Sequence, residues 1–349
     1  MRICYFGIYN PEESRNKIYI KGFKEHGVEI IECRDVTRGP LKYLYLFWKH
    51  WKIRNKYDFL IVGYPGHVVV PFAKLISKKP VILDALCSLY EGVIISREKN
   101  GLFFLREKYT RLVDRLAIKF ADAILVETNL QKQFFEERLG APPGKCFRVF
   151  TGADDSVFYP DDNIKKNKDF TVVFRGKFLP EAGVTYVVKA AKILETTGIQ
   201  FLIIGNGFLQ KEVIATIEDI KPKNLKLISD HLEFGELRQK MLECHVSLGQ
   251  FASHKRLYRT IPHKCFESLA LGLPYITAES AGVGELLTDG INCLMVKEAS
   301  PEAISEAIIQ LKKEPELALR LSKAGVELYK QKLTPYHLAK QILDIMQII

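Results

Sequence analysis

The chain has 349 residues, 47% of them hydrophobic and 26% charged, which indicates a globular protein with apolar material for two cores and excludes a disordered chain. It contains no run of about 18 apolar residues and enters a strand-like segment directly at "MRICYFGIYN", so we expect neither a transmembrane helix nor a signal peptide. Seven scattered cysteines without a CxxC pair predict reduced thiols in a cytoplasmic protein, and a net charge of +10 favours anionic partners: nucleotides, phosphates, acidic lipids or nucleic acids.

Short apolar runs alternate with longer helical patterns along the chain. The first series is "RICYFGI", "VEIIEC", "DFLIVG", "PVILDA", "AILVET" and "FRVFTG", and the second is "FTVVFRG", "FLIIG", "LKLIS", "HVSLGQ", "LPYIT" and "CLMV". This alternation predicts parallel sheets covered on both faces. We therefore predict two doubly wound α/β domains, 1–165 and 166–333, joined at the polar run 159–169, and a helix over 334–349 suited to cross back to the first domain. Ligands are expected in a cleft between them, at the carboxyl ends of the strands.

The loop after the first predicted strand is a candidate ligand contact. Gly7 permits close approach of a ligand to the backbone, and Arg15 lies in the first turn of the next predicted helix. The GxGxxG pattern of dinucleotide-binding sites is absent here. That absence argues against a nicotinamide-dependent oxidoreductase.

The segment "LKYLYLFWKHWKIRNK", 41–56, contains both tryptophans of the chain. In a helix, lysines at every seventh position form one stripe, and Trp48 and Trp51 lie on the other side. Two interpretations are open: a helix that packs into the core with a solvated lysine face, or an interfacial helix that rests on an anionic membrane surface. The stretch 96–119 is similarly basic and aromatic.

Two polar residues of the N-terminal half follow predicted strands. Asp84 lies at the end of the strand in "PVILDALCSLYEG" and is the polar candidate for chemistry there. His67, in "GYPGHVV", is interpreted as a structural or loop residue.

The segment "IPHKCFESLALGLPYIT" predicts a helix that starts at Pro262 and runs into a buried strand. Apolar residues occupy both faces of this helix, so the carboxylate of Glu267 needs a partner. One interpretation is a local, partly exposed pair with Lys264 at spacing i, i+3. The other is a sugar-nucleotide site, in which the helix start and Lys264 attract phosphate and Glu267 accepts hydrogen bonds from ribose hydroxyls.

The stretch "HKCFESLALGLPYITAESAGVGELLTDGINCLMV" resembles the signature region of family 4 of the retaining glycosyltransferases, which have the GT-B fold. "FRVFTGADDSVFYP" resembles the family's Gly-x-Asp segment, and "FRGKFLPEAGVTYVVKAA" resembles the first strand, loop and helix of its C-terminal domain. "FLIIGNGFLQKEV" resembles its Gly-x-Gly turn. The resemblance covers nearly the whole chain and says nothing about which sugar is used.

The resemblance implies a GT-B fold of two Rossmann-like domains that face a central cleft, with the acceptor in the N-terminal domain and the nucleotide sugar in the C-terminal domain. It assigns Glu267 to the ribose and Lys177 to the diphosphate, although Lys177 also fits a solvated loop lysine. The residues expected on the donor side are Lys177, Arg259, Lys264, Glu267, Gly282 and Glu285. The residues expected on the acceptor side are Gly7, Asn10 and Arg15, and those expected to take part in catalysis are Asp84, Lys177 and Lys264. Gly282 and Glu285 also fit a simple turn and the first turn of the next helix.

Three departures from the family pattern stand out. The second basic residue of the diphosphate site is replaced by Ala182, and the acid eight positions before Glu267 is replaced by Arg259. No histidine follows the strand that ends at Asp84. The loop "GQFASHKRLYRTIPHK" is basic instead, as in the subset of the family with an IPxK turn, and we expect it to supply the missing charge.

The resemblance predicts a retaining hexosyltransferase that moves a sugar from a UDP- or GDP-sugar to a hydroxyl of a lipid-linked or cell-envelope glycan intermediate, without a metal ion or cofactor. Two alternatives stay open: another GT-B enzyme, namely a phosphorylase or an epimerase, and a non-catalytic nucleotide-sugar-binding subunit of a glycan-assembly complex. No nucleic acid partner is expected, because no recognition module is visible. The expected location is the cytoplasm, with peripheral attachment to the inner face of the membrane if 41–56 is an interfacial helix.

Overall fold

The structure, a computed structural model, describes residues 1–95 and 103–349. The chain separates into two compact units. The first unit comprises Met1–Asp154 and Leu333–Ile349, and the second comprises Asp155–Lys332. No helix within the described ranges is long and apolar enough to cross a bilayer.

The first unit is built on one six-stranded parallel sheet. Its strands are β1 (Arg2–Gly7), β2 (Glu29–Arg34), β3 (Phe59–Val62), β4 (Val81–Leu86), β5 (Ala123–Val126) and β6 (Cys146–Arg148). Its helices are α1 (Ser14–Glu25), α2 (Leu41–Trp51), α3 (Val70–Ile76), α4 (Phe103–Phe120), α5 (Asn129–Leu139) and α13 (Pro335–Met346). The strand order is β2-β1-β3-β4-β5-β6.

The second unit is built on another six-stranded parallel sheet. Its strands are β7 (Thr171–Arg175), β8 (Gln200–Ile204), β9 (Leu225–Ile228), β10 (Val246–Leu248), β11 (Tyr275–Ala278) and β12 (Leu294–Val296). Its helices are α6 (Val184–Ile193), α7 (Gln210–Ile220), α8 (Phe234–Leu242), α9 (His263–Ala270), α10 (Ala281–Gly284), α11 (Pro301–Lys313) and α12 (Pro315–Lys332). The strand order is β12-β11-β10-β7-β8-β9.

Each apolar run singled out in the sequence forms or overlaps one of these strands, and every neighbouring pair is parallel. The runs are continuously apolar because helices cover both faces of each sheet. The predicted α/β architecture of two doubly wound sheets is confirmed.

The strand order fixes which helices share a face of the first sheet. The chain moves from β1 to β2 and then back past β1 to β3, β4, β5 and β6, and right-handed crossovers place the helices of these two directions on opposite faces. Helices α2 to α5 therefore lie side by side on one face. Their side chains enter one apolar cluster, as shown by Leu46 of α2, Ala73 of α3, Ala117 of α4 and Phe135 of α5. Helix α1 covers the other face and packs against α13.

The polar segment predicted to join the two domains is anchored to the second unit. The guanidinium of Arg238 lies 3.6 Å from the ring centroid of Tyr159. The same group forms an ion pair of 2.9 Å with Asp161. The chain division consequently falls after Asp154.

Candidate functional site

At the carboxyl edge of the second sheet, a glycine follows each of three adjacent strands. Strands β10, β7 and β8 are neighbours, and they are followed by Gly249, Gly176 and Gly205. Gly205 has a φ of +149°, and a Cβ on it would overlap the carbonyl oxygen of Gly176, so only glycine fits there. The chain runs from β7 to β8 on one side and returns to β10 on the other, which makes the β7/β10 boundary the topological switch point of the sheet. Ligands of open parallel sheets bind at such points.

The amine of Lys264 lies at this switch point. Its Nζ is 3.4 Å from the carbonyl oxygen of Gly249 at the end of β10, and it borders Gly176 at the end of β7. It also lies 3.4 Å from the ring centroid of Phe174. The side chain is 5% exposed, and among the described residues no ion pair joins its amine to a carboxylate, although the charges of Glu267 and Glu181 act on it from further away. Burial, together with the nearby charge of Arg175, holds the pKa of Lys264 well below its ordinary value. A buried ammonium group with so few partners is suited to bind an anion.

Glu267 lies one turn further along α9 and is 1% exposed. His263 Nδ1 is 3.1 Å from Oε1 of Glu267, and Arg175 Nη1 is 2.9 Å from Oε2. Burial raises the pKa of Glu267, but the charges of Arg175 and His263 outweigh it and hold that pKa below its ordinary value. The carboxylate is therefore ionised at neutral pH. The sequence interpretation of a local, partly exposed pair with Lys264 is wrong, because the ion pairs of Glu267 are made with the other two residues.

The two oxygens of Glu267 differ in what they still accept. The contact between Arg175 and Oε2 is close but lacks hydrogen-bond alignment, and Oε2 has no hydrogen-bond donor among the described residues. The imidazole Nε2 of His263 is also buried without a hydrogen-bond partner within the same part of the chain. Buried polar atoms are normally paired. These two atoms therefore offer an acceptor and a polar ring nitrogen to a ligand.

Arg175 and His263 are missing from the residues predicted for this site. His263 shares a face of α9 with Glu267 at spacing i, i+4, so the sequence contained a signal for that pair. Arg175 is the last residue of β7 and is far from Glu267 along the chain. Sequence patterns indicate no such pairing, since it arises only when the sheet forms.

The basic loop before α9 contacts the segment that contains Ala182. Arg256 Nη1 forms an ion pair of 2.8 Å with Oε1 of Glu181. A Cβ on Gly183 would meet the backbone of Phe251 and Ala252, which shows how closely the two segments pack. The positive charge of Arg256 thus lies next to Ala182 but is balanced by Glu181.

The other predicted donor residues lie around this edge of the sheet. Lys177 is exposed in the loop after β7, and Arg259 is half-buried in the basic loop. A Cβ on Gly282 would meet the backbone nitrogen and oxygen of Thr260 at 2.8 Å, so its missing side chain makes room for that loop. Glu285 follows the last residue of α10 and so does not begin a helix as the sequence suggested. Their roles toward a ligand stay predictions.

In the first unit, Gly7 and Asn10 lie at the β1/β3 switch point and in the loop that follows it, and Asn10 is exposed. A cavity of about 430 Å³ opens beside this loop, and its lining includes Glu12, Glu32 and Lys49. Because its lining contains both acidic and basic side chains, this cavity is suited to the polar groups of a ligand.

Asp84 and Arg15 form a fully buried ion pair in the first unit. Arg15 Nε is 2.7 Å from Asp84 Oδ1, and Arg15 Nη1 donates to the Val149 carbonyl and the Thr151 hydroxyl at 3.1 Å. Burial raises the pKa of Asp84 despite the opposing charge of Arg15. Both side chains are enclosed, so contact with an acceptor would require them to move first. Their catalytic and acceptor roles stay predictions.

His67 is buried, and its Nε2 lies 3.1 Å from the carbonyl oxygen of Cys87. Burial lowers the pKa of its imidazole, which therefore stays neutral. This environment is that of a structural residue. Within residues 1–95 and 103–349, no cluster of three or more His, Cys, Asp or Glu side chains is arranged to hold a metal ion.

Part of the chain is similar in sequence to known proteins. Residues 157–327, which lie within the second unit, match the family model described as glycosyl transferases group 1. An uncharacterized glycosyltransferase of Methanocaldococcus jannaschii is 22% identical over 69% of the chain, and an alpha-D-kanosaminyltransferase of Streptomyces kanamyceticus is 21% identical over 71%. The matched regions span only 61% and 65% of the lengths of these two relatives.

Solved structures with the same fold cover the whole chain. Alr3699/HepE of Anabaena, crystallised with UDP, superposes with a TM-score of 0.77 at 15% identity, and all of both chains is covered. Sucrose-phosphate synthase of Thermosynechococcus elongatus superposes with a TM-score of 0.79 at 12% identity over 99% of this chain and 98% of its own. The fold is therefore GT-B.

Proposed function

We propose that this protein is a retaining glycosyltransferase that transfers a hexose from a UDP- or GDP-sugar to an acceptor hydroxyl. The observation that carries the proposal is the presence of two buried polar groups on α9: the amine of Lys264, and Oε2 of Glu267, which accepts no hydrogen bond from the described residues. A nucleotide diphosphate presents a matching pair of groups, an anionic diphosphate and a ribose with vicinal hydroxyls. The Anabaena structure crystallised with UDP-glucose has the same fold.

The diphosphate lies beside Lys264 and the bare backbone of Gly176 in this proposal, with Lys177 and Arg259 reaching it from their loops. Glu267 Oε2 accepts a hydrogen bond from a ribose hydroxyl, and Gly282 and Glu285 border the sugar. During transfer the bond from the anomeric carbon to the phosphate oxygen breaks, and its electron pair leaves with the diphosphate. The acceptor oxygen bonds to the same carbon, and its proton passes to the leaving diphosphate. Fixed positive charge beside the leaving diphosphate stabilises the transition state without a metal ion.

The acceptor in this proposal is a lipid-linked or cell-envelope glycan intermediate bound to the first unit. Gly7, Asn10 and the neighbouring cavity offer polar contacts, and the enclosed pair of Arg15 and Asp84 holds that edge of the sheet in place. The segment 41–56 contacts an anionic membrane surface, which would bring a lipid-linked acceptor close to the enzyme.

The donor site is tested by calorimetric titration of UDP, GDP and uridine into wild type and Glu267→Gln. Loss of a charged acceptor should weaken diphosphate binding by about 10- to 100-fold, the range for a hydrogen bond to a charged group. Glu218→Gln, an exposed acid on α7, is the matched control and should bind as wild type does. Equal affinities of wild type and Glu267→Gln would contradict the ribose assignment.

The reaction type is tested with the same protein. We expect slow release of UDP or GDP from the sugar donor. We also expect the anomeric carbon of the sugar to have the same configuration, α or β, in the product as in the donor. Release of sugar phosphate that depends on added phosphate would indicate a phosphorylase instead. Conversion to another sugar nucleotide without an acceptor would indicate an epimerase, and tight binding without turnover would indicate a non-catalytic subunit.

A further inference from the structure

Helix α2 buries only a narrow stripe of side chains and exposes a wider stripe of apolar ones. Leu46 and His50 are its buried residues and point toward the sheet. Trp48 and Trp51 point the opposite way and are 55% and 49% exposed. Leu41 and Leu44 continue this outward stripe at helical spacing. The interpretation of 41–56 as a core-packing helix with a solvated lysine face is therefore wrong for the tryptophan side, which is exposed.

Helix α4, which covers most of the basic and aromatic stretch 96–119, exposes a second apolar stripe. Within the described part of the stretch 96–119, Val113, Asp114 and Ala117 face inward and are buried. Leu105, Leu112 and Leu116 recur outward at spacings of seven and four residues and are 63%, 55% and 36% exposed. Isolated exposed apolar residues are ordinary, but a stripe of them on each of two helices of one unit is not.

The two stripes lie on the same face of the first unit. Helices α2, α3 and α4 cover the same side of the sheet in that order, and the rings of Tyr43 on α2 and Phe72 on α3 contact at 5.2 Å. The phenol of Tyr109 on α4 is close enough to Tyr43 to raise its pKa, after the larger effect of burial. Leu75 of α3, between them, is 82% exposed. The outward side chains of the three helices thus border one surface.

The charge of this surface is positive. The sequence contains no acidic residue between Asp35 and Asp58, whereas basic residues recur through that stretch. On α4, Asp114 is buried and accepts hydrogen bonds from the backbone of Leu89 and Tyr90. Glu107 is ion-paired with Arg111. Lys108, Arg115 and Lys119 are exposed on the outward side of α4.

We propose that the outward faces of α2 and α4 together form a docking surface for an anionic lipid bilayer, with Trp48, Trp51 and Leu112 entering the headgroup region and the surrounding lysines and arginines contacting lipid phosphates. Apolar side chains rimmed by basic ones are the pattern of interfacial binding. This inference extends the proposed contact of 41–56 to a second helix. A second copy of the chain fits the surface less well, because a two-fold interface would place the same basic patch opposite itself.

The test is sedimentation of the full chain with vesicles of phosphatidylcholine alone or mixed with phosphatidylglycerol, at low salt and at about 1 M salt, where the Debye length is about 3 Å. Wild type should pellet with the anionic vesicles at low salt only. Leu112→Ser with Leu116→Ser should lower the partition coefficient about tenfold or more, as should Trp48→Ser with Trp51→Ser. Lys108→Gln should lower it about fivefold.

Two exposed residues of the second unit provide matched controls. Leu319, 54% exposed on α12, and Lys211 on α7 should tolerate substitution to serine and glutamine without change in binding. Circular dichroism of each variant checks that the fold is retained.

Three outcomes would overturn the proposal. An unchanged partition coefficient for the α4 variant would confine any membrane contact to 41–56. Equal, salt-insensitive binding to neutral vesicles would remove the role of charge, and a concentration-dependent dimer lost in the same variants would assign the surface to a second copy. Donor hydrolysis measured without vesicles reports on the glycosyltransferase proposal separately, so that failure of one does not imply failure of the other.

Discussion

At Lys264 the fold places an ammonium group where burial disfavours charge, and this placement has a stability consequence. The Phe174 ring and one carbonyl oxygen replace only part of the lost hydration. We predict that Lys264→Met raises the free energy of unfolding by about 1–4 kcal/mol while weakening binding of UDP or GDP. Urea denaturation and calorimetric titration of the same samples measure the two effects. A variant that is less stable than wild type would contradict this account.

The pH dependence of the same effect follows from the lowered pKa of Lys264. Between that pKa and the ordinary value of 10.5, the unfolded state binds more protons than the folded state, so the stability of wild type rises with pH. The advantage of Lys264→Met should therefore be largest at pH values below the folded-state pKa of Lys264, decline as the pH rises through that pKa, and disappear above about pH 10.5. Denaturation curves collected across this range check the trend, and a pH-independent difference would exclude Lys264 as its cause.

The pair of Arg15 and Asp84 allows a test that separates structure from catalysis. Arg15→Met should cost about 3–5 kcal/mol in unfolding free energy, because it leaves the Asp84 carboxylate buried without its partner. Arg15→Met combined with Asp84→Leu should recover much of that loss, apart from the hydrogen bonds of Arg15 to Val149 and Thr151. Urea midpoints measure both. If Asp84 has the catalytic role predicted from the sequence, the double variant will fold and bind donor but lose turnover.

At the residue scale, the sequence indicated the chemistry of the donor site but not its full set of ion pairs. Glu267 and Lys264 were identifiable because charged residues stood out in an apolar helix. The partnership of Arg175 with Glu267 was not, because it joins the end of a strand to a helix that lies far along the chain. Likewise, nothing in the sequence pattern around Asp84 indicates that it forms a buried ion pair with Arg15.

At the element scale, the packing of α1 on α13 depends on Gly22. A Cβ there would overlap the carbonyl oxygen of Pro335 and lie 2.8 Å from the Cβ of Ala339. Gly22→Ala should therefore destabilise the first unit by about 1–3 kcal/mol, the usual cost of overpacking. Gly235→Ala, in α8 with nothing within 4 Å of the added Cβ, should instead stabilise by about 0.4–1 kcal/mol. Thermal unfolding of both variants measures these changes in stability. Equal changes in the two variants would contradict the packing argument.

The sequence predicted the strands well because a strand buried on both faces must be continuously apolar. It predicted the helix faces less well. The periodicity of α2 places Trp48 and Trp51 opposite the lysine stripe, yet periodicity alone does not say which stripe faces the sheet. The structure shows that Leu46 and His50 do.

At the scale of the whole molecule, the first unit is discontinuous in sequence, since its last helix follows the entire second unit. Helix α13 begins where the hydroxyl of Thr334 accepts a hydrogen bond from the His337 amide and Pro335 occupies the first turn. It buries Leu338 and Ile342 fully, and a Cβ on Gly152 would meet Leu338. The stability of residues 1–154 therefore depends on a segment that is synthesised after the whole second unit.

Deleting 334–349 should consequently destabilise one unit and spare the other. Each of the larger buried side chains of α13 contributes about 1.5–3 kcal/mol, so their loss exceeds the margin of an ordinary domain. Hydrogen exchange read by mass spectrometry should show lost protection in β1, β3 and α1, whereas β7, β8 and β10 keep theirs. Because the proposed nucleotide site lies wholly within the second unit, UDP should still protect α9 in the truncated protein. Loss of protection in both sheets at once would mean that the two units fold as one cooperative body.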